Sequence, residues 1–462
     1  MEPITVRELL QAVNGTLLGE FDHLELCVTN VQRDSRKIQP GDVFLPLMGE
    51  RTDGHRFIEQ ALNAGASGTL TMRTPEVLLP GKFYIQVEDT LKALGDLARW
   101  YRGRFHIPFI GITGSAGKTA TKDMIASVLG ERFRVLKTRE NYNNDIGMPE
   151  TILGVTGVYD MAVIEMGMNH FGEIDYLTRI ARPDVAIIIN VGFSHIENLG
   201  SQAGILKAKC EIFKGMDART GIALLNGDDA MLNSVSRYPV PVVWCGESPK
   251  CTTRCLSIRP EGDGMVMEAD IQGEAMTFHI PAAGHHMLYS VLMAAVLGKR
   301  YGMTAQEIQR GVSHFVPSGK RMLRMRRRNN ITLIDDSYNA NPTAVDAVLH
   351  ILSERPEKKK IAVLGDMFEL GDQGPALHFG CGRAARAANI DVLIAVGPLS
   401  EKTAEGALGG NTKVFWYATR EEAEDALARE LTPDSVALFK ASHGMHFAYL
   451  VDYAKSITED CR

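Results

Sequence analysis

The stretch Phe109-Ile110-Gly111-Ile112-Thr113-Gly114-Ser115-Ala116-Gly117-Lys118-Thr119 runs an apolar segment into a glycine-rich turn that ends in Lys-Thr. Glycine carries no Cβ, so such a turn lets successive backbone N–H groups converge on phosphate oxygens. The residues placed to grip a triphosphate are Gly114, Ser115, Ala116, Gly117, Lys118 and Thr119. Lys118 can reach the β- and γ-phosphates, and the Thr119 hydroxyl suits a magnesium ion. The helix expected to follow adds the partial positive charge of its N-terminus. The general P-loop spacing asks for glycine at position 112, where this chain has Ile112, with Gly111 one residue early. The turn predicts nucleotide binding, and a kinase or an ATPase would satisfy it equally.

Three further side chains could join that chemistry. Glu165 closes the apolar run 161–164, and ligands collect at the carboxyl ends of strands in open parallel sheets. A carboxylate there can hold a metal ion beside phosphates. His195 follows the run 185–191 within Gly192-Phe193-Ser194-His195-Ile196-Glu197; a histidine in a polar, glycine-containing loop beyond a strand is a candidate site residue. Lys209, in Ala208-Lys209-Cys210-Glu211, lies on an expected helix and by itself reads as a surface residue.

These side chains need elements to hold them. Apolar runs at 109–113, 161–165, 185–191 and 221–226 alternate with helical patterns, which predicts a parallel sheet covered on both faces. Residues 250–280 alternate more loosely and suggest an antiparallel flank. Runs at 331–335, 360–364, 392–396, 414–417 and 436–440, each followed by a helical pattern, predict a second, doubly wound unit. Ahead of both, residues 1–88 mix short strands and helices, with turns at Gln39-Pro40-Gly41-Asp42 and Arg51-Thr52-Asp53-Gly54. The spacing of Leu91, Leu94, Leu97, Ala98 and Tyr101 predicts a helix leading into the next domain. The expected architecture is α/β in three domains. A small α/β N-terminal domain takes 1–88, a central P-loop parallel-sheet ATPase domain 89–316, and a C-terminal doubly wound Rossmann-like domain 317–462.

Composition agrees. A chain of 462 residues exceeds one comfortable core, and 45% apolar with 23% charged residues is the balance of an ordinary soluble protein. A formal charge of −6 argues against nucleic acid or an anionic membrane as the principal partner. The first ten residues read as an amphipathic helix and not a signal peptide, and no uncharged run reaches the length of a membrane span; a cytoplasmic protein without membrane insertion is expected. Among the seven scattered cysteines, Cys245, Cys251 and Cys255 form the one cluster. With no fourth ligand at suitable spacing, they read as thiols in a variable hairpin and not as a metal site.

Taken in order, the glycine turn, Glu165-Met166-Gly167-Met168, Asn190-Val191-Gly192-x-Ser194-His195-x-Glu197 and Ala208-Lys209-x-Glu211 resemble the Mur ligase superfamily, and the spacing of the set is far more specific than any member. The resemblance implies ATP-dependent amide-bond formation through an acyl phosphate, with Lys118, Glu165, His195 and Lys209 as the catalytic set. It assigns Lys118 to the phosphates, Thr119 and Glu165 to one magnesium ion, and Glu165, His195 and a carbamylated Lys209 to a second. Carbamylation would turn an ammonium into a carboxylate-like anion, an oxygen ligand that hard magnesium prefers.

Other stretches narrow the resemblance. Asp34-Ser35-Arg36, Gly41-Asp42-Val43-Phe44 and Asp53-Gly54-His55 resemble the domain that holds the UDP-sugar. Asp335-Asp336-Ser337-Tyr338-Asn339-Ala340-Asn341-Pro342 and Leu364-Gly365-Asp366-Met367-x-Glu369-Leu370-Gly371 resemble members that join D-alanyl-D-alanine to UDP-N-acetylmuramoyl-tripeptide. The resemblance further implies ATP contacts from Arg321 and Asp336, and substrate contacts from Ser35, Arg36, Asn143, Asn144, Asn339, Lys440 and Ser442. One departure stands out: the family pattern Gly-x-His-x-x-x-Asn ends here in Ser290, which lacks an amide's paired donor and acceptor for adenine. A monomer is expected. Folylpolyglutamate synthase, a ligase of the same fold, is disfavoured by the UDP-type N-terminal stretches, and a regulator without ligase activity by the intact Lys118, Thr119, Glu165, His195 and Lys209.

Overall fold

Short strands separated by turns come first. In the computed structural model, which describes residues 1–49, 52–317 and 322–459, five of them form a sheet in the order Thr16–Leu18, Phe83–Gln86, Gly68–Thr71, Asp42–Phe44, Asn30–Gln32. The first pair is antiparallel and the rest are parallel. The opening helix, Val6–Ala12, begins at a capping box: the Thr5 side chain accepts from the Glu8 N–H while the Glu8 carboxylate accepts from the Thr5 N–H. That arrangement satisfies two donors a helix end leaves open.

The amphipathic pattern after residue 88 forms the helix Thr90–Arg102, capped by Asp89 through the N–H groups of Leu91 and Lys92. Its apolar face buries Ala93, Leu94, Leu97, Ala98 and Tyr101. The fully buried Tyr101 hydroxyl donates to the Val155 carbonyl at 2.6 Å and accepts from the Glu2 N–H at 2.6 Å. The Arg102 guanidinium lies 3.7 Å from the centre of the Phe109 ring and donates to the Ala181 carbonyl. One helix thus ties the chain's first residues to the sheet that follows.

That sheet has nine strands, in the order Glu274–Ile280, Gly264–Ile271, Thr253–Glu261, Val242–Gly246, Ile222–Asn226, Val185–Ile188, Phe109–Thr113, Met161–Glu165, Val135–Lys137. Among the first three each strand is antiparallel to its neighbour, as the looser alternation predicts, and the remaining pairs run parallel. Two details differ from the apolar pattern. Val135–Lys137 is a strand that the pattern does not announce, because three half-buried residues on a sheet edge carry no alternation to read. The run 185–191 stays in the ladder only to Ile188, since beyond it the chain turns to meet the glycine loop, where the Ser115 N–H donates to the Asn190 carbonyl.

The C-terminal sheet has six strands, in the order Leu323–Arg327, Ile331–Asp335, Ser435–Lys440, Lys359–Gly365, Val392–Val396, Lys413–Tyr417, and only the first is antiparallel to its neighbour. The last strand in sequence therefore lies inside the sheet, and its final residue, Lys440, arrives beside Asp335 and Asp336. Among the described residues no helix is long and apolar enough to cross a membrane. Arg321, expected to contact ATP, and Arg51 of the second N-terminal turn lie outside the described residues.

Tyr101→Phe removes the donor to Val155 and the acceptor for Glu2 while keeping the ring. Urea unfolding should show a loss of about 1–3 kcal/mol, the cost of leaving buried partners unsatisfied. A change within a few tenths would show that this junction adds nothing to stability.

Candidate active site

Three adjacent parallel strands bring the expected residues to one sheet edge. Ile112 of the glycine-loop strand pairs with Glu165 on one side, and Thr113 pairs with Ile188 on the other. The loop, Glu165 and the segment after Ile188 therefore emerge together. Glu165 is 1% exposed. Its carboxylate accepts from the Thr119 hydroxyl at 3.0 Å and the Asn143 amide at 2.8 Å. Its N–H donates to the Thr138 hydroxyl, and the Thr138 carbonyl takes a hydrogen bond from the buried Lys122. Thr119 stands in the first turn of the helix Lys118–Gly130, which the chain enters through Gly117 at φ +81°, a conformation glycine adopts without strain.

The loop is held open by its neighbour. The Asn190 side-chain oxygen accepts from the N–H groups of Ser115 at 3.0 Å and Ala116 at 2.9 Å. The Ser115 hydroxyl accepts from the Gly192 N–H, and Ser194 donates to the Ser115 carbonyl. Lys118 donates to the Gly114 carbonyl at 2.8 Å, which keeps its ammonium on the loop.

A cavity of about 1240 Å³ opens between the central and C-terminal sheets, larger than the roughly 300–1,000 Å³ of a site for one small ligand. From the central domain it collects Ser115, Ala116, Gly117, Lys118, Asn143, Asn144, Glu165 and His195. From the C-terminal domain it collects Asp336, Asn339, Lys440 and Ser442. Lys440 makes a buried ion pair with Asp336 and donates to the Asn339 carbonyl at 3.0 Å, and the Ser442 hydroxyl accepts from the Phe368 N–H at 2.8 Å. Gly114, Thr119 and Lys209 lie behind this lining. Ser35 and Arg36 sit apart from it, on a short turn of the N-terminal domain, where the exposed Arg36 pairs with Asp34.

Lys209 overturns the surface reading. It is 2% exposed at the end of the helix Gln202–Lys209, with no hydrogen-bond acceptor for its amine among the described residues. Burial, with the charge of Lys118 added, pushes its pKa well below that of an ordinary lysine. A neutral buried amine is the form that can attack carbon dioxide. His195 enters the next helix at φ +61°, and the Glu369 carboxylate lies against its Nδ1 as an ion pair without the alignment of a hydrogen bond. The His195 ring, followed by the charge of His170, holds the Glu369 carboxyl below its usual range. Among the described residues no three His, Cys, Asp or Glu side chains gather closely enough to hold a metal ion. Glu165 and His195 would thus need further oxygen donors, which Thr119, substrate phosphates or a carbamate on Lys209 could supply.

Ser290 lines the cavity, yet its hydroxyl is bonded at 2.8 Å to that of Thr121. Cys245, Cys251 and Cys255 are buried free thiols whose pKa values burial raises, Cys255 to about 11, so they are core and not nucleophiles. Three more residues act here, each of which stands in the sequence only inside a longer pattern. Asn190 shapes the glycine loop. Asn341 caps the helix Pro342–Ser353 and also donates to the Ser115 carbonyl at 3.4 Å. Glu369 meets His195. Their polar types beside glycine or proline are the only signal they leave in the sequence.

Models of the Mur ligase family match this chain in three places: the family's catalytic domain at residues 28–102, the Mur ligase middle domain at 112–298, and the glutamate ligase domain at 320–443. The chain is 37% identical to the UDP-N-acetylmuramoyl-tripeptide–D-alanyl-D-alanine ligase of Bacillus subtilis over 97% of both chains. It is 36% identical to the Escherichia coli enzyme of the same name, over 88% of this chain and 89% of that one. Its fold superposes on the crystal structure of MurF from Acinetobacter baumannii with a TM-score of 0.91 at 29% identity, covering 98% and 99%. For MurF ligase from Thermotoga maritima in complex with ADP the TM-score is 0.83 at 26% identity, covering 93% and 98%.

Because the Ser290 hydroxyl is spent on Thr121, Ser290→Ala should leave the KM for ATP within about twofold while costing ~1 kcal/mol of stability for the orphaned hydroxyl. Steady-state kinetics and thermal melts check both; a large rise in KM would place the serine on the nucleotide.

Proposed function

The chain belongs to the Mur ligase family, and from that premise we infer an ATP-dependent acid–amino-acid ligase that joins D-alanyl-D-alanine to the peptide carboxylate of UDP-N-acetylmuramoyl-tripeptide, a step in peptidoglycan precursor synthesis. One observation carries the reading: a single cavity in which the glycine loop and Glu165 face Asp336, Asn339 and Lys440 from the other domain.

The chemistry requires a carboxylate to attack the γ-phosphoryl group of ATP, two anions brought together. ADP leaves, and the resulting acyl phosphate is captured at its carbonyl carbon by the acceptor amine as phosphate departs. The protein's contribution is positioning and charge. The loop N–H groups that do not go to Asn190, those of Gly117, Lys118 and Thr119, and the ammonium of Lys118 are assigned to the phosphates. Asn143 and Thr119 orient Glu165. Thr119 and Glu165 are assigned to one magnesium ion, and Glu165, His195 and Lys209 as its carbamate to a second; the burial of the Lys209 amine supports that modification. A magnesium ion held by these residues would supply neutralisation of the phosphate charge. Ser35 and Arg36 are assigned to the nucleotide-sugar and Arg321 with Asp336 to ATP. Asn144, Asn339, Lys440 and Ser442 are assigned to the peptide substrates. We assign the three activities to domains at 1–88, 89–316 and 317–462, in a cytoplasmic monomer.

Phosphate release should require ATP, UDP-N-acetylmuramoyl-tripeptide and D-alanyl-D-alanine together. Lys118→Ala should slow it roughly 100- to 1000-fold, as removal of one preorganised charge does, with UDP-substrate binding by calorimetry largely kept; near-normal turnover would remove Lys118 from the phosphates. Incubation with ¹³C-labelled bicarbonate should give a carbamate carbon signal that Lys209→Arg lacks. An equal signal in both proteins would place the carbamate elsewhere.

A further inference from the structure

A cavity built to handle ATP is rich in cations and N–H donors, and its acidic side chains are mostly spent. Glu165, Glu173, Asp228, Asp229, Asp263 and Asp336 each hold a backbone N–H, a hydroxyl, an amide or a Lys or Arg donor. Glu369 is the exception. Among the described residues its carboxylate meets only the imidazole of His195, a ring that is charged only when protonated. It is half-exposed into the cavity. Glu369 itself sits at φ +62°, and its carbonyl accepts the Glu197 N–H across the domain junction.

We propose that Glu369 is the residue that receives the α-ammonium of the acceptor peptide. The inference rests on the ligase reading above, in which an amine must approach an acyl phosphate at the central-domain end of the cavity. The acceptor approaches through an amine that is protonated in solution, whereas the phosphates and the peptide carboxylate it must meet are negative. Glu369 is supplied by the C-terminal domain but reaches His195 and shares the cavity lining with the loop assigned to ATP, so an ammonium held by it would stand between the two domains. His195 occupies that position on the carboxylate in the structure described here, and exchange of the ring for an ammonium would keep the carboxylate partnered. The role is recognition of a cation, and it assigns to Glu369 a part in acceptor specificity.

The test separates charge recognition from upkeep of the site. Acyl phosphate formed from ATP and UDP-N-acetylmuramoyl-tripeptide can be captured either by D-alanyl-D-alanine, a cation, or by hydroxylamine, which is neutral near neutral pH. In the full-length chain, Glu369→Gln should raise the KM for D-alanyl-D-alanine roughly 10- to 100-fold, the range of one charge-assisted hydrogen bond. Hydroxamate formation should persist at a rate close to that of the parent, and Glu369→Asp, which keeps the charge, should recover much of the acceptor affinity. Matching thermal melts confirm that both variants are folded. Equal loss of hydroxamate and ligation in Glu369→Gln would overturn the proposal, since it would put the carboxylate in the phosphoryl-transfer step. An unchanged acceptor KM would overturn it as well. A parent that forms hydroxamate yet ignores D-alanyl-D-alanine would instead strike down the acceptor assignment, and this inference with it.

Discussion

A carboxylate removed from water must be compensated, and the site is organised around that demand at Glu165. Its side chain is almost completely buried and no lysine or arginine pairs with it among the described residues. A neutral hydroxyl and a neutral amide solvate it in place of water. Each donor comes from a different part of the chain: Thr119 from the first turn of the phosphate-loop helix, Asn143 from the loop after the neighbouring edge strand Val135–Lys137. Satisfying one charge therefore fixes three segments relative to each other. It also leaves the charge unneutralised, so the site retains a net appetite for cations that a salt bridge would have quenched.

The opposite economy holds at Lys209. It is a buried amine with no acceptor, and its charge is disfavoured both by desolvation and by Lys118. An ammonium in that setting is costly and a neutral amine is not, so the fold selects the reactive form. Lys209 is in this sense a companion to Glu165: one is a buried amine whose surroundings disfavour its charge, the other a buried carboxyl group bonded by a neutral hydroxyl and a neutral amide. Both environments are made by the walls of the central domain before any substrate arrives.

The second domain completes the cavity through backbone proximity. A side chain at Gly192 would come within 2.5 Å of the Thr343 hydroxyl, and one at Gly371 within 3.3 Å of Glu197. Glycine at these points lets the C-terminal sheet approach closely enough for Asn341 to reach Ser115 and for Glu369 to reach His195. The placement of Ser435–Lys440 inside its sheet matters for the same reason, because it carries Lys440 onto Asp336 in the wall. The approach of the two domains thus rests on small residues and a strand order as well as on apolar packing, since one buried cluster includes Val191 and Ile196 of the central domain and Ala340 and Val345 of the C-terminal one.

Much of this was written in local patterns. The apolar runs at 109–113, 161–165, 331–335 and 392–396 are strands at those limits, because an interior strand must be apolar on both faces and that requirement is visible in any window of five residues. The glycine turn with Lys118, and Glu165 at a strand's end, were legible for the same reason. What the sequence could not settle was anything decided by a partner distant along the chain. Lys209 looks like a surface residue until the fold closes over it, Ser290 looks available to a ligand until Thr121 claims its hydroxyl, and Asn190 is one polar residue among many until it bonds Ser115 and Ala116. Propensity and periodicity arise from neighbours a few positions away, whereas burial, ion pairing and the pKa of a buried amine arise from residues tens to hundreds of positions apart. The tertiary structure alone brings those together.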